Sequence, residues 1–333
     1  MTANRTVRLV RRPVGMVTRE DFAIADEPLP EPGAGEFRIR IRYVSLDPAM
    51  RGWMADAKSY VRPVQLGDVM RGYAAGEVEV SNHPDFKPGD PVTGLFGVQR
   101  YAISNGRAIA RANTDLAPLH SWIGGLGMPG TTAYFGLLDI GKPRSGETVV
   151  VSAASGAVGS IVGQIAKIIG CRAVGIAGGP EKCRRVVEDF GFDACVDYKA
   201  GNLAQDLAAA CPDGIDVYFE NVGGEVLEAV LDNMNTFGRI PVCGMISGYN
   251  ATEPAKAPRN LRSILVNRLT MRGFIIFDFA ERYDEAMTAL TMWLGEGRLK
   301  FSEDIRDGGL DAYPDVVNLL YTGGNQGKLI LKV

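Results

Sequence analysis

"VVVSAASGAVGSIVGQIAKIIG" runs from Val149 to Gly170 and decides how the chain is to be read. Val149, Val150 and Val151 form a β-branched run of strand type, and Val158, Ile161, Ile165 and Ile168 follow at helical steps. Between them lies a turn, Ala153 to Gly159, with the pattern A-x-x-G-x-x-G, a relative of the dinucleotide fingerprint G-x-G-x-x-G. Gly156 lets the backbone approach a pyrophosphate, and Gly159 lets the helix pack close against the strand. The unpaired amides of the first helical turn then hold the anion. An ordinary tight strand–helix joint is the competing reading. The strand before and the amphipathic helix after favour the cradle.

The texture on the C-terminal side is the same. "CRAVGIAGG" (171–179) reads as a strand, and "PEKCRRVVEDFG" (180–191) as a helix that opens on proline and stops at glycine. "ACVDY" (194–198), "GIDVYFENVGG" (214–224), "GRIPVCGMIS" (238–247) and "LTMRGFIIF" (269–277) follow as strands, with helical segments between several of them. Strands alternating with helices imply a parallel, doubly wound α/β sheet of Rossmann type. The N-terminal side differs. Runs such as "FRIRIRYVSL" (37–46) and "AAGEVEV" (74–80) alternate and are separated by "PLPEPGAGE" and "PDFKPGD", as in a barrel-like or sandwich domain. The last stretch, 311–333, holds one helix and a strand that returns to the first domain. The expected division is 1–122 with 300–333 as a β-rich domain, and 123–299 as the cofactor domain.

Composition narrows the function. Lysine and arginine total 36 against 39 acids, a net charge of −3, so a nucleic-acid partner is not expected. No apolar run reaches the length that spans a bilayer. Five cysteines, spread out and without a C-x-x-C pair, suit a reducing compartment. "MTANRTVRLVRRPVG" carries four arginines and superficially resembles a transit peptide. The alternation of Val7 and Leu9 reads more simply as a first strand with arginines outward, and the expected location is cytoplasmic.

The second strand selects the dinucleotide. An NAD site expects an acid there to bond the ribose 2′-hydroxyl. "GIAGGPEKC" (175–183) has none before Glu181, which lies in the next helix. A 2′-phosphate meets no repulsion, and Lys182 is placed to pair with it, so NADPH is favoured over NADH. A solvated helix lysine is the alternative for Lys182.

Taken together, "SLDPAMRGWM" (45–54), "GMPGTTAYFGL" (127–137), "SAASGAVGS" (152–160), "GIAGGPEKC", "YFENVGG" (218–224), "CGMISGYN" (243–250) and "GGNQGK" (323–328) resemble the medium-chain dehydrogenase/reductase superfamily. Within it the chain is similar to the zinc-independent alkenal/one reductases, the group of prostaglandin, plant double-bond and bacterial curcumin reductases. The resemblance covers nearly the whole chain. It implies a Rossmann NADPH domain with a β-rich GroES-like domain, and hydride reduction of the C=C bond of α,β-unsaturated ketones or aldehydes.

It also implies site residues. Ala154, Ser155, Gly156, Ala157, Val158, Gly159 and Gly179 cradle the cofactor, and Lys182 and Tyr198 contact the 2′-phosphate. Asn221 sits at a strand end. Cys243, Gly244, Met245, Ile246, Ser247 and Tyr249 line the nicotinamide ribose, Met128 and Thr132 lie near the ring, and Phe274 and Ile276 also bind the cofactor. Asn325 and Gly327 reach the cofactor from the C-terminal segment. Tyr249 is the first candidate donor to the substrate carbonyl, and Tyr60 the second. Met50, Tyr60, Met128 and Tyr249 make an apolar pocket for a small hydrophobic enone.

No metal is expected. The chain has two histidines, His83 and His120, and no cysteine before Cys171. Val44, Gly72 and Tyr73 stand where zinc-dependent relatives carry ligands. A homodimer through the 269–279 strand at the sheet edge and a lid over 250–261 complete the expectations. A quinone reductase and a non-catalytic NADPH-binding protein are the competing functions.

Overall fold

The computed structural model describes residues 3–253 and 256–333. The chain divides into two compact units, Met1–Gly124 with Glu303–Val333, and Gly125–Ser302. In the first unit β1 (Asn4–Leu9) pairs antiparallel with β2 (Phe22–Glu27). Val7 and Leu9 are buried, and Arg8 turns outward to the Glu27 carboxylate. Then come β3 (Phe37–Ser45), α1 (Ala49–Met54), β4 (Ala74–Ser81), β5 (Pro91–Gly94), β6 (Tyr101–Ser104) and β7 (Ala110–Arg111).

The second unit opens with α2 (Met128–Phe135), which continues into a π-helical stretch, Gly136–Gly141. Its strands and helices alternate: β8 (Thr148–Ser152), α3 (Gly159–Ile168), β9 (Arg172–Ala177), α4 (Pro180–Glu188), β10 (Ala194–Asp197), α5 (Leu203–Ala210). They continue as β11 (Ile215–Phe219), α6 (Gly224–Leu231), β12 (Met234–Val242), α7 (Arg262–Val266), β13 (Thr270–Gly273) and α8 (Tyr283–Gly295). The chain then re-enters the first unit with β14 (Glu303–Arg306), α9 (Tyr313–Thr322) and β15 (Lys328–Lys332).

β15 lies antiparallel to β3, so the last strand does return to the N-terminal sheet, whose order is β14-β15-β3-β4-β5-β7 with β6 also on β3. The six-stranded sheet of the second unit has the order β10-β9-β8-β11-β12-β13, and every pairing is parallel. Its order reverses between β8 and β11. That gap is the switch point at which ligands bind in such sheets. The three valines of β8 are fully enclosed. A strand covered on both faces reads as a continuous apolar run instead of an alternating one.

Helix α3 packs against the loop that precedes β10 because it is small where it must be. A Cβ built on Gly163 would fall 1.8 Å from the Phe192 ring, which is itself buried. Gly163→Ala is therefore expected to destabilise the protein by about 1–3 kcal/mol through overpacking. Chemical denaturation would measure it, and an unchanged midpoint would show that the ring gives way freely.

One strand is shorter than the sequence suggests. Of the apolar run 269–279, only Thr270–Gly273 joins the sheet, and Ile276–Arg282 turns into a 3₁₀ helix. The run is apolar for another reason. Phe274 packs edge-on against Phe219, and Ile276 is buried with Phe135 and Ala286. Gly136 makes room for this, since a Cβ there would lie 2.3 Å from Phe274 and 2.7 Å from Phe219.

Candidate active site

Four pieces of structure in the second unit concern ligand binding. The first is the glycine turn after β8. Ala153 adopts a left-handed conformation (φ 50°), and its carbonyl accepts from the Gly156 amide at 2.9 Å. A Cβ on Gly159 would lie 2.3 Å from that same carbonyl oxygen, so only glycine lets α3 start so close to the turn. Among the described residues, no hydrogen bond engages the amides of Ala157 and Val158. Donors of the first helical turn left in this state suit an anion. A dinucleotide pyrophosphate fits the turn.

The second piece lies after β9. The Gly179 amide donates to Asp197 Oδ1 at 2.7 Å, and the Lys199 amide donates to the same oxygen at 2.9 Å. Asp197 thus ties the Gly178–Gly179 turn to the end of β10. Tyr198 and Lys199 fold over Gly178, where a Cβ would meet the Tyr198 hydroxyl at 2.9 Å and Lys199 Cε at 3.0 Å. Lys182 follows in the first turn of α4, three residues beyond Gly179. Lys199 and Asp197 were not among the residues expected from sequence. The "DYK" triplet around Tyr198 is the signal that held them. A cationic, glycine-floored surface of this kind matches a phosphate.

The third piece is the switch point. The Ser152 hydroxyl donates to Glu220 Oε1 at 3.2 Å and accepts from the Asn221 amide at 2.9 Å. Asn221 Nδ2 donates to the Ser152 carbonyl at 2.8 Å, so this side chain joins the ends of β8 and β11. Glu220 is fully buried, and its Oε1 also accepts from the Tyr218 hydroxyl and the amides of Val222 and Gly223. Burial pushes its carboxyl above the usual carboxylate range, against those hydrogen bonds.

The fourth is an open depression of about 430 Å³ lined by Val242, Cys243, Gly244, Met245, Tyr249, Gly273, Phe274, Ile275 and Asp278. Its lining is mostly apolar, with the Asp278 carboxylate and the tyrosine hydroxyl as polar side-chain groups. That hydroxyl accepts from the Met245 amide at 3.3 Å, and a Cβ on Gly244 would lie 3.1 Å from it. Burial pushes the Cys243 thiol up to about 12, so it stays protonated at neutral pH. Ile246 and Ser247 hold the next turn through their amides to the carbonyls of Asn221 and Val222. Ile276 is buried two residues beyond Phe274, and Asp278 and Ile275 join the wall unanticipated by sequence. Met128 opens α2, and Thr132 stands half-buried in its second turn, beside the buried Thr131 that bonds back to Gly127 and Met128. Of the segment 250–261, Pro254 and Ala255 lie outside the described residues. Arg259 pairs with Glu228, and Asn260 donates to Asp232, both acceptors on or just after α6.

The first unit holds the remaining residues. Tyr60 is 51% exposed, and its hydroxyl accepts from Trp53 Nε1 at 3.4 Å. Met50 is a correction. It is fully buried in the core beside Tyr313, whose hydroxyl donates to its sulfur at 3.6 Å, and it offers no surface to a substrate. Asn325 Nδ2 donates to the Gly327 carbonyl at 2.8 Å, and Gly327 itself is left-handed (φ 91°). Next to it, the buried Lys328 ammonium bonds Asp47 at 2.6 Å and the Leu46 carbonyl at 2.8 Å. The "GGNQGK" and "SLDPAM" segments are thus joined by one ion pair.

A zinc ion does not fit this donor set. Val44 is fully buried, and a Cβ on Gly72 would meet Met50 and Val98 at 3.2 Å. His83 Nδ1 accepts from the Asp85 amide, and His120 faces Glu303. Among the described residues no group of three or more His, Cys, Asp or Glu is arranged to hold a metal. None of the described helices is long and apolar enough to cross a membrane.

Comparison with known proteins agrees with this geometry. A family model described as "N-terminal domain of oxidoreductase" matches residues 5–112, and one described as "Zinc-binding dehydrogenase" matches residues 157–292. The second description names a metal, and the described residues bring together no group of three or more His, Cys, Asp or Glu to hold one. The chain is 47% identical to "NADPH-dependent curcumin reductase" of Escherichia coli (strain K12), over 99% of this chain and 97% of that protein. It is 41% identical to "2-alkenal reductase (NADP(+)-dependent)" of Nicotiana tabacum, over 90% and 88% of the two. The crystal structure of CurA from Vibrio vulnificus in complex with NADPH superposes with a TM-score of 0.94 at 46% identity, over 99% of each chain.

Proposed function

The chain belongs to the zinc-independent alkenal/one reductases of the medium-chain dehydrogenase/reductase superfamily, and on that premise we propose that it is an NADPH-dependent enzyme saturating the C=C bond of small hydrophobic α,β-unsaturated ketones and aldehydes. The observation that carries this reading is the apolar depression with Tyr249 in its wall, within the same unit as the glycine turn. In the assignment, the amides of Ala157 and Val158 hold the pyrophosphate, and Lys182, Tyr198 and Lys199 hold the 2′-phosphate. When bound, the dinucleotide supplies a hydride for the substrate's β-carbon.

The chain's own residues do the rest. As the C=C bond is reduced, negative charge accumulates on the carbonyl oxygen, and a hydroxyl donor at that oxygen stabilises it. Tyr249 takes this role, directly or by fixing the ribose hydroxyl that does, with Tyr60 as the second candidate. A tyrosine hydroxyl is neutral at pH 7 and suits donation. Side chain or water then protonates the α-carbon. The apolar lining accepts the hydrocarbon part of the substrate.

The test is NADPH oxidation with a medium-chain enone, a curcumin-like dienone and a simple quinone in parallel, each repeated with NADH. The enone product is checked for a saturated C–C bond with its carbonyl intact. Enone turnover with NADPH preference supports the reading. Quinone-only turnover moves the chain to the quinone reductases, and binding without turnover leaves a non-catalytic role. Lys182→Ala is expected to weaken NADPH about tenfold and leave NADH unchanged, the loss of one charge-assisted contact. Equal effects on both cofactors would remove Lys182 from the 2′-phosphate.

We also infer a homodimer through β13, acting in the cytoplasm. A sheet edge needs a cover, and α7 beside it in sequence exposes Leu265 (76%) and Val266 (50%). A solution mass of twice 35.8 kDa is expected, and a monomer at micromolar concentration would refute it.

A further inference from the structure

We propose that Cys183 and Cys195 are a modification site, a dithiol that peroxide closes to a disulfide and that thereby weakens binding at the 2′-phosphate subsite. The coupling to binding rests on the NADPH reading above. The cross-link itself does not.

The two sulfurs lie 3.0 Å apart, inside van der Waals contact. Cys183 belongs to the first half of α4 and Cys195 to β10, an edge strand of the sheet. Both residues, like Cys243, are half-buried, so a small oxidant reaches them, whereas Cys171 and Cys211 are buried. On β9, Gly175 is the register partner of Cys195, so no side chain from that strand stands beside the sulfur.

The chemistry balances without any group the chain lacks except the peroxide. One thiol attacks the peroxide O–O bond, giving a sulfenic acid and one water. The second thiol displaces the sulfenic oxygen as a second water, and the S–S bond forms. Two thiols are oxidised by two electrons, and one peroxide is reduced. Burial holds both thiols above their ordinary range, which slows the first step. The second step is fast because its partner is already in contact.

The position gives the bond a consequence. Lys182 precedes Cys183, and Asp197, which grips the Gly179 amide, follows Cys195 by two residues. A disulfide sulfur pair is about 2 Å apart, so closure shortens the present 3.0 Å separation by roughly 1 Å and pulls on α4 just after the glycine turn and on β10 just before Asp197. A charge-assisted contact tuned to the open spacing is then lost or lengthened.

The experiment uses the full chain, reduced and then treated with hydrogen peroxide, alkylated and digested. A peptide linking Cys183 to Cys195 is expected, with loss of two of the five titratable thiols and recovery in dithiothreitol. Cys183→Ser and Cys195→Ser, each checked by thermal melting, should abolish the link. NADPH and NADH affinities are measured for both redox forms, with about a fivefold weakening expected for NADPH alone. No such peptide, or pairing among other cysteines, overturns the site. A link with unchanged NADPH affinity overturns the coupling. Reduced protein that does not bind NADPH strikes the cofactor reading, and the coupling with it, while the cross-link is judged by the peptide.

Discussion

A Gly159→Ala protein is expected to bind NADPH about 100-fold more weakly, a loss of roughly 2.7 kcal/mol. The new Cβ would sit 2.3 Å from the Ala153 carbonyl oxygen, 2.9 Å from its carbon and 3.0 Å from Ala154 Cα. All three are backbone atoms, so no side-chain rotation relieves the clash. Either the N-terminus of α3 moves off the sheet or the turn opens. Both displace the Ala157 and Val158 amides that the proposed cradle turns to a pyrophosphate. A stability loss of about 1–3 kcal/mol should accompany it. Gly156→Ala is the milder comparison, since its Cβ would meet only the Ala153 oxygen, at 3.1 Å. Fluorescence titration with NADPH and thermal melting separate the two effects. A Gly159→Ala enzyme that melts lower but binds NADPH as before would leave the turn a packing joint and end the cradle assignment.

That turn was legible because its requirements are local. Three enclosed valines, a glycine where backbone approaches backbone and a helical apolar period all fall within one continuous stretch of chain. The doubly wound order follows from the alternation of such stretches. The less legible features depend on distant partners. The apolar run 269–279 looks like one long strand, but its second half is apolar because Phe274 and Ile276 enter a core formed with Phe219 and Phe135. Met50 illustrates the same limit. A methionine beside tryptophan and tyrosine reads equally as pocket or core, and only Tyr313, far along the chain, decides for core. Lys199 and Asp197 escaped because the charge pattern of the second strand drew attention to α4, whereas the fold brings the end of β10 over Gly178.

The strand ends also explain why Asn221 and Glu220 sit where they do. Asn221 commits its amide to Ser152, and Glu220 gathers two backbone amides on one oxygen. Cys243 and Gly244 in turn donate their amides to the Glu220 carbonyl. The wall of the depression is therefore hung from the switch point of the sheet. Cys243 and Gly244 lie just past the end of β12, and these two bonds hold that connecting segment to the end of β11.

Tyr249→Phe is the sharpest use of that wall. Removing a single donor to a developing oxyanion costs about 10²–10³ in rate in well-studied cases, and a loss of about 100-fold in kcat for enone reduction is expected here. The hydroxyl also accepts from the Met245 amide, so its removal takes away one backbone contact worth about 1 kcal/mol. The two roles give different signatures. A purely positioning role raises the NADPH Kd and the enone KM while kcat holds. A donor role lowers kcat with the NADPH Kd nearly unchanged. Tyr60→Phe carried through the same measurements identifies the alternative donor, and the double variant tests whether both serve one oxygen, since groups acting as a unit are strongly non-additive. Unchanged kcat/KM in Tyr249→Phe, with a fall in Tyr60→Phe, would transfer the donor role to the first unit. Unchanged values in both would mean that the charge on the carbonyl oxygen is met by a group other than either tyrosine.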